Sequence, residues 1–327
     1  MRTVYICIHL CNVGFFFFIK EIESEMNGIL PLWKEQGMTS HDCVFKLRKI
    51  LKTKRVGHTG TLDPEVTGVL PICIGQATRI AEYLTDAGKT YEAVISIGVS
   101  TTTEDAQGET VERDTSFKTL TRQDVLQALL SLTGEIEQTP PMYSAVKVNG
   151  KKLYEYARKG QTVERPTRKV SIYSLDLLEG VQKFEGEEIT FRVRIACSKG
   201  TYIRTLAVQI GEKLGFPAHM AFLTRVTSGT FSKDDCVTLE QVEKLVSEGK
   251  IDEVIRPVEY ALSTYPFIEI DESNEKQILN GQVLPAHAFL KKSDKIIFSK
   301  EGKVLAVYVQ HPTKEGLMKP EKMFPQV

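Results

Sequence analysis

The sequence lacks the residue spacings that hold metal ions, disulfide frameworks or nucleotide cofactors. Its six cysteines and six histidines include no CxxC pair and no HxxxH pair, and zinc sites are commonly built from such pairs. It also has no glycine-rich loop of the Walker or Rossmann type and no GxSxG motif. We therefore expect no metal, no cofactor and no disulfide framework, and free thiols fit a reducing, cytoplasmic compartment.

The chain also lacks a charge imbalance. Lysine plus arginine number 42, as do aspartate plus glutamate, so no overall field attracts the protein to a polyanion. Two local basic clusters stand out, KLRKILKTKR at 46–55 and the stretch 143–169, where three tyrosines are interleaved. Positive charge beside aromatic rings suits phosphates and unstacked bases. Taken alone, the first cluster is explained more simply by basic residues that complement the dipole at a helix end. The second is explained more simply by an ordinary hairpin that turns at Asn149-Gly150.

A short apolar run, VYICIHLCNVGFFFFI, occupies residues 4–19. It is similar to the core of a signal peptide, but no small-residue cleavage site follows, and a membrane span needs roughly 20 residues. We expect residues 1–25 to be an extension outside the fold, produced by an upstream start, with Met26 as the functional first residue. A membrane anchor is the alternative.

The rest of the chain predicts an α+β protein of two domains. Its length exceeds one minimal core, and helical and strand periods alternate without a regular β-α-β rhythm. GILPLWK, GVLPICIG, KTYEAVISIG and EITFRVRIAC predict strands, and helices should follow Thr39 or Ser40, Thr121 and the SKG turn.

The C-terminal part changes character near residue 263. RPVEYALSTYP looks like a linker, and IIFSKEGKVLAVYVQ predicts a hairpin that turns at KEGK. We therefore place one domain at 26–262 and a small, mostly β domain at 263–327. The acid-rich stretch TTTEDAQGETVERD, at 101–114, is most simply a solvated loop.

Asp63 is the most constrained polar residue, within the loop GHTGTLDPEVTG at 57–68. By itself, such an aspartate is most often a turn residue that bonds its own backbone. A candidate partner, Arg204, lies in SKGTYIRT at the start of a predicted helix. Because the guanidinium fork matches the two carboxylate oxygens, an arginine can aim a carboxylate that serves as nucleophile or base without a cofactor. The sequence leaves open whether the two side chains meet.

Four blocks in this order strongly resemble the TruB family of tRNA pseudouridine-55 synthases: GHTGTLDPEVTG, KTYEA, TPPMYSAVKVNGKKLYEYARKG and CSKGTYIRTL. The likeness covers about residues 26–231, and ILNGQVLP is similar to a segment of PUA-like domains. The resemblance implies a pseudouridine-synthase fold, with a mixed, largely antiparallel central sheet flanked by helices, and a PUA-like RNA-binding domain at 263–327. It also implies an isomerase that flips uridine 55 out of the tRNA T loop and converts it to pseudouridine without a cofactor.

The resemblance assigns three catalytic residues. Asp63 corresponds to the aspartate that acts on the target nucleoside, Tyr91 to a tyrosine that stacks on the uracil and can act as a base, and Arg204 to the partner of the aspartate. Whether the carboxylate attacks the ribose or the base, or removes the C2′ proton, stays open. The family commonly has Lys-Pro-x-Gly where this chain has Lys34 followed by Glu35, which puts the rigidity of that loop in doubt because proline would fix the backbone.

Further residues are expected to bind the RNA. His58 corresponds to the histidine that fills the space left by the extruded base, and Tyr202 and Leu223 correspond to residues lining the uracil pocket. We also expect substrate contacts from Lys34, Gly57, Thr59, Gly60 and Lys147. The basic insert at about 138–169 should close over the T arm.

Two alternative functions would use the same basic clusters. A tRNA-folding helper, with chemistry as a secondary activity, would not require Asp63. A guide-RNA-dependent enzyme of the dyskerin type would share much of the core but work in a multi-protein particle. The short, mildly basic C-terminus LMKPEKMFPQV favours a stand-alone enzyme, so we expect a monomer that binds the tRNA T arm without a protein partner or a membrane.

Overall fold

The computed structural model describes residues 26–324, so the predicted extension at 1–25 lies outside the described residues. Twenty strands occur in the described part: β1 (Gly28–Lys34), β2 (Val56–His58), β3 (Thr67–Ile74), β4 (Lys89–Ile97), β5 (Val99–Thr101), β6 (Thr110–Arg113), β7 (Lys118–Thr121), β8 (Gly134–Gln138), β9 (Lys147–Val148), β10 (Lys151–Lys152), β11 (Arg168–Leu177), β12 (Lys183–Gly186), β13 (Ile189–Cys197), β14 (Ala218–Ser228), β15 (Phe231–Ser232), β16 (Phe267–Glu269), β17 (Leu284–Pro285), β18 (Lys295–Lys300), β19 (Lys303–Gln310) and β20 (Leu317–Met323). The same residues form eight α-helices: α1 (Ser40–Ile50), α2 (Ala81–Asp86), α3 (Arg122–Ser131), α4 (Leu153–Ala157), α5 (Ile203–Leu214), α6 (Leu239–Ser247), α7 (Val258–Leu262) and α8 (Glu272–Leu279).

A nine-stranded mixed sheet forms the centre of the molecule. Its strands follow the order β1-β3-β14-β4-β13-β11-β8, with β2 beside β3 and β15 beside β14. The ladders are antiparallel except for the short parallel contact between β14 and β3. The predicted α+β class and the mixed, largely antiparallel sheet are thus confirmed.

Local sequence explains why several of these elements form. Strand β13 alternates buried and exposed residues along its length, as a sheet with one covered face requires. Helices α1 and α3 both begin with capping boxes, in which Thr39 pairs with Asp42 and Thr121 pairs with Asp124. Helix α5 ends at Leu214 and is capped by Gly215, whose φ of +81° favours glycine.

The helices α1, α3, α5 and α6 cover one face of the central sheet. Their buried side chains form one apolar core with the covered face of β4, which includes Tyr91, Ala93 and Ile95. This arrangement brings the start of α5 and the loop after β2 to the same side of the sheet. Both elements carry predicted catalytic residues.

A second, five-stranded sheet forms near the C-terminus in the order β16-β18-β19-β20-β17. Strands β18 and β19 make the predicted hairpin. This sheet packs against the opposite face of β1 and β3, because Ile29 and Val69 share a core with Ile297 and Val307. The sheet has the character expected of a PUA-like domain, and the boundary at 262/263 stays a prediction.

One prediction about a connecting segment is wrong, and another holds only for the exposure of its residues. The supposed linker RPVEYALSTYP contains α7, and Leu262 at the end of that helix is fully buried against the second sheet. The supposed solvated loop at 101–114 includes parts of the β5–β6 hairpin, and it contacts α5 and β14. Apolar burial at Leu262 and the contacts of Glu104 and Asp105 with α5 order segments that composition alone marks as loops.

None of the helices within residues 26–324 is long and apolar enough to cross a membrane.

Candidate active site

The loop that carries Asp63 joins β2 to β3, and Lys34 at the end of β1 binds its backbone. The Lys34 side chain is fully buried, and its ammonium donates hydrogen bonds to the backbone carbonyl oxygens of Glu35 (3.0 Å), Pro64 (3.0 Å) and Val66 (2.6 Å). Burial lowers the pKa of this ammonium. Lys34, which has no exposed surface, therefore fixes the backbone on the C-terminal side of Asp63, and its predicted contact with the substrate stays a prediction.

Other contacts fix the N-terminal side of the same loop. Thr59 is fully buried, and its hydroxyl donates a 3.0 Å hydrogen bond to the carbonyl oxygen of Pro71. The Ser40 hydroxyl accepts a 2.9 Å hydrogen bond from the amide of Leu62. Thr59 thus also supports the loop, and its predicted contact with the substrate stays a prediction. Gly57, by contrast, keeps part of its surface exposed.

Asp63 and Arg204 meet in the structure. An Oδ2–Nη2 distance of 3.1 Å joins them, and the Asp63 side chain is 43% exposed whereas that of Arg204 is only 7% exposed. Because α5 begins at Ile203, the start of the helix presents Arg204 to the loop. The result is a carboxylate that is open to solvent but aimed by a buried guanidinium, an arrangement suited to a nucleophile or base.

Arg204 also gathers groups that the sequence did not single out. It lies 3.8 Å from the Asp105 carboxylate, and it donates hydrogen bonds to the carbonyl oxygens of Thr103 (3.1 Å) and Tyr143 (3.0 Å). The guanidinium therefore ties the Asp63 loop to the hairpin connection after β5 and to the start of the basic insert. Asp105 gave no clear signal, because it lies in a run of acidic and hydroxyl residues typical of a loop.

Glu104 extends this network. It adopts φ = +64°, and its carboxylate accepts a 2.7 Å hydrogen bond from the Thr205 hydroxyl on α5. Burial raises the pKa of the Glu104 carboxyl, although this hydrogen bond and the charge of Arg204 oppose the effect. A left-handed conformation at a residue other than glycine is uncommon and is often found at functional sites.

Tyr91 lies on β4 opposite Arg225 of β14. The tyrosine is 8% exposed and the arginine 1% exposed. Burial raises the pKa of the Tyr91 phenol, whereas the charge of Arg225 and a hydrogen bond from it act in the opposite direction. Sequence reasoning missed Arg225, and its only signal is that a charged residue occupies a buried strand position.

Two glycines allow the loop and β3 to approach these buried cations. Gly60 has φ = +96°, and a Cβ there would lie 3.5 Å from Cε of Lys89 and 3.6 Å from Nη1 of Arg225. At Gly68, with φ = +125°, a Cβ would lie 2.2 Å from the carbonyl oxygen of Arg225. Gly60 thus borders Lys89 and Arg225, and a side chain at Gly68 would force β3 away from β14.

His58 ends β2, at the start of the loop. It is partly buried, and its Nδ1 has no hydrogen-bond partner among the described residues. Burial lowers the pKa of the imidazole, and the charge of Arg225 lowers it further. An imidazole ring with an unpartnered Nδ1 can stack or hydrogen-bond within RNA, and the role of His58 in filling the space left by the base stays a prediction.

The predicted uracil-pocket residues lie on the same two elements as the arginines. Tyr202 caps α5, where its amide donates a 2.9 Å hydrogen bond to the side-chain oxygen of Gln138. Leu223 lies on β14 opposite Ala93 of β4 and is 7% exposed. Both therefore flank the groups around Asp63, and their roles as pocket walls stay predictions.

The basic insert presents its tip to solvent. Strands β9 and β10 form the predicted hairpin, and Asn149 and Gly150 adopt φ values of +50° and +80° at its turn. Lys147 is exposed and borders an open groove of about 580 Å³ that residues 163–167 line on the other side. Because Tyr143 at the start of the insert binds Arg204, the insert is anchored at the site.

No group of three or more histidine, cysteine, aspartate or glutamate side chains within residues 26–324 has the geometry of a metal site.

Comparison with known families places the chain among RNA-modifying enzymes. Residues 48–203 match the family model described as TruB family pseudouridylate synthase (N terminal domain), and residues 204–263 match that of the tRNA pseudouridylate synthase B C-terminal domain. The chain is 54% identical to tRNA pseudouridine synthase B of Geobacillus thermodenitrificans over 91% of this chain and 100% of that protein. It is also 54% identical to tRNA pseudouridine synthase B of Bacillus anthracis, over 91% of this chain and 97% of that protein.

Solved structures give the same result for the fold. The chain is similar to a chain of a Cbf5-Nop10-Gar1 complex, with a TM-score of 0.68, 29% identity, and coverage of 90% of this chain and 84% of that chain. It is also similar to a chain of an H/ACA RNP bound to a substrate RNA containing 2′-deoxyuridine, with a TM-score of 0.67, 25% identity, and coverage of 91% and 85%.

Proposed function

The chain belongs to the TruB family of pseudouridylate synthases, and from this premise we propose that it isomerises uridine 55 in the T loop of tRNA to pseudouridine. The observation that carries the proposal is the contact between Asp63 and Arg204. It sets an accessible carboxylate, 43% exposed, on a buried guanidinium at a distance of 3.1 Å.

The chemistry needs only groups of this kind. The bond between ribose C1′ and uracil N1 breaks, the uracil turns, and a bond forms between C1′ and C5. The proton on C5 leaves and N1 gains a proton, so the reaction has no net gain or loss of atoms. Asp63 assists the first bond cleavage, and Tyr91, opposite Arg225 on the neighbouring strand, accepts the proton from C5.

The same geometry explains how the target is held. A uridine inside a folded T loop must be extruded before a carboxylate can reach it. Tyr202 and Leu223 flank the site and supply aromatic and apolar faces, and His58 fills the position that the base leaves. The exposed lysines of the insert, together with the basic end of α1, bind phosphates of the T arm, and the C-terminal sheet provides a PUA-like RNA surface.

The two alternative functions are less well supported. The curated relatives at 54% identity are each named tRNA pseudouridine synthase B, whereas the similar chains from the Cbf5-Nop10-Gar1 complex and from the H/ACA RNP are 29% and 25% identical. A tRNA-folding helper with secondary chemistry would not need the buried support around Asp63. We propose a stand-alone monomer that acts in the cytoplasm.

The test uses the purified protein and an unmodified tRNA transcript whose uridines carry tritium at C5. Release of one tritium per tRNA, with pseudouridine mapped to position 55, is the expected result, and a transcript with cytidine at position 55 is the control. Product that appears only after addition of a guide RNA and partner proteins, or at another position only, would contradict the proposal. Size-exclusion chromatography of the same sample tests the monomer.

A further inference from the structure

Arg225 joins three elements around the site without leaving the protein interior. Its Nε donates a 2.7 Å hydrogen bond to the carbonyl oxygen of Val69 on β3, and its Nη2 lies 3.5 Å from the carbonyl oxygen of Gly60 in the Asp63 loop. Tyr91 lies directly across the β14–β4 ladder from it. The strand is irregular immediately after Arg225, and such bulges commonly redirect side chains next to active sites.

The charge of Arg225, like that of the buried Lys34, is not balanced by a carboxylate at ion-pair distance within residues 26–324. Arg204, by contrast, lies within 4 Å of two aspartates. A buried cation without a counter-ion is costly. Its neighbours are carbonyl oxygens and the Tyr91 phenol, so its field acts on them.

We propose that Arg225 is a positioning residue for the isomerisation, which holds the Tyr91 phenol towards the Asp63 loop and favours negative charge on its oxygen. This inference rests on the proposed function. The ionised phenol then accepts the proton that leaves uracil C5, and the positive charge beside it stabilises the form that can accept. Burial is the largest influence on the pKa of Tyr91 and raises it overall, Asp63 and Cys197 act in the same direction, and the charge of Arg225 and a hydrogen bond from it oppose that rise.

A merely structural role is the simpler alternative. In that case Arg225 does no more than hold β3, β14 and the loop together. Its loss would then lower activity by distorting the loop, and the loss of activity would be the same whether or not residue 91 carries a hydroxyl. The two roles differ in one measurable respect. If Arg225 acts through the Tyr91 oxygen, removing that oxygen first must remove most of the effect of Arg225.

The experiment is a double-mutant cycle under single-turnover conditions with saturating tRNA. Tritium release is measured for wild type, Arg225→Gln, Tyr91→Phe and the double variant. We expect Arg225→Gln to slow wild type on the order of 100-fold, the lower range for lost acid–base catalysis, but to slow Tyr91→Phe by less than about 3-fold. The tRNA affinity should change little. Arg194→Gln, which removes an exposed arginine that pairs with Glu92 on the neighbouring strand, is the matched control and should retain wild-type rates.

A second substitution protects the test against a variant that fails to fold. Arg225→Lys keeps the positive charge but loses the fork that reaches several oxygens, so it should slow wild type by about 10-fold and Tyr91→Phe much less. Equal slowing of wild type and Tyr91→Phe by either substitution would overturn the inference. A wild-type protein that forms no pseudouridine would instead contradict the proposed function, so the two failures are distinguishable.

Discussion

The Asp63 loop and the basic insert both depend on positive charge, but they hold it in opposite ways. Around the loop, Lys34 and Arg225 are buried and bind backbone carbonyl oxygens. In the insert, Lys147 and Lys151 are exposed on a short hairpin. Buried cations keep a fixed geometry and are weakly screened, whereas exposed ones bind polyanions and are strongly screened by salt. The contrast indicates that the loop serves the chemistry and the insert serves the binding.

The largest effect on activity should follow from a substitution in the Asp63 loop. Asp63→Asn keeps the size of the side chain but removes the carboxylate, so we expect the single-turnover rate of pseudouridine formation to fall by at least about 10⁴-fold. The affinity for tRNA should stay within about 3-fold, because phosphate contacts provide it. Tritium release and filter binding measure the two quantities.

Glu65→Gln is the control for this prediction, since Glu65 lies in the same loop and accepts a 2.7 Å hydrogen bond from Gln36. It should retain most of the activity. Full activity in Asp63→Asn would refute the catalytic assignment, and an equal loss in both variants would indicate that any charge change in the loop is harmful.

A smaller effect should appear in the free energy of unfolding, which should depend on pH because Lys89 is buried. Lys89 is 8% exposed, and burial, with the charge of Arg225, lowers the pKa of its ammonium from 10.5 to about 8. Below pH 8 the group is charged in both states and its burial costs free energy. Between pH 8 and pH 10.5 the Lys89 ammonium binds its proton only in the unfolded chain, so the free energy of unfolding increases as pH rises.

We therefore expect the free energy of unfolding of wild type, relative to Lys89→Met, to increase by about 2 kcal/mol between pH 7 and pH 9.5. Urea unfolding at the two pH values measures it. Lys151→Met, in the exposed insert, controls for the general effect of removing one positive charge. A relative stability of wild type that falls over this range would contradict the sign of the pKa shift.

The smallest effect should come from substitutions in the basic insert, which should change the affinity for tRNA. Replacing Lys147 and Lys151 together by alanine should weaken tRNA binding by about 10-fold at moderate salt and reduce the salt slope of affinity by about 2, one for each lost phosphate contact. The rate at saturating tRNA should be unchanged. Lys250→Ala, at the end of α6 and paired with Glu248, is the control. A lower saturating rate with unchanged affinity would reverse the assignment of the two regions.

Much of the fold was predictable because its signals are local. The strict alternation in β13 and the capping boxes at Thr39 and Thr121 lie within a few residues of sequence, and the structure shows them as expected. The residues alone left open whether Asp63 meets Arg204, and only the family resemblance implied the contact that the structure shows.

The rest depends on register between distant strands, which no local pattern contains. The strand β14 was not predicted, since irregularities near Phe222 and Val226 interrupt its alternation. Arg225 therefore had no assigned face, and its contact with the loop was invisible. Lys34 was expected to contact RNA, and Asp105 was expected in a solvated loop. Three carbonyl oxygens in one case and a guanidinium in the other decide their actual positions.

The parallel contact between β14 and β3 has a consequence for how the protein is made. Arg225 reaches Val69 across 156 residues of chain and Gly60 across 165, so the two partners leave the ribosome far apart in time. A nascent chain that ends at β13 already contains Asp63 and Tyr91, but it has neither Arg204 nor Arg225. Such long-range closure comes late in folding. The growing polypeptide therefore carries its reactive loop in an unassembled form, and catalytic competence arises only when the second half of the chain arrives.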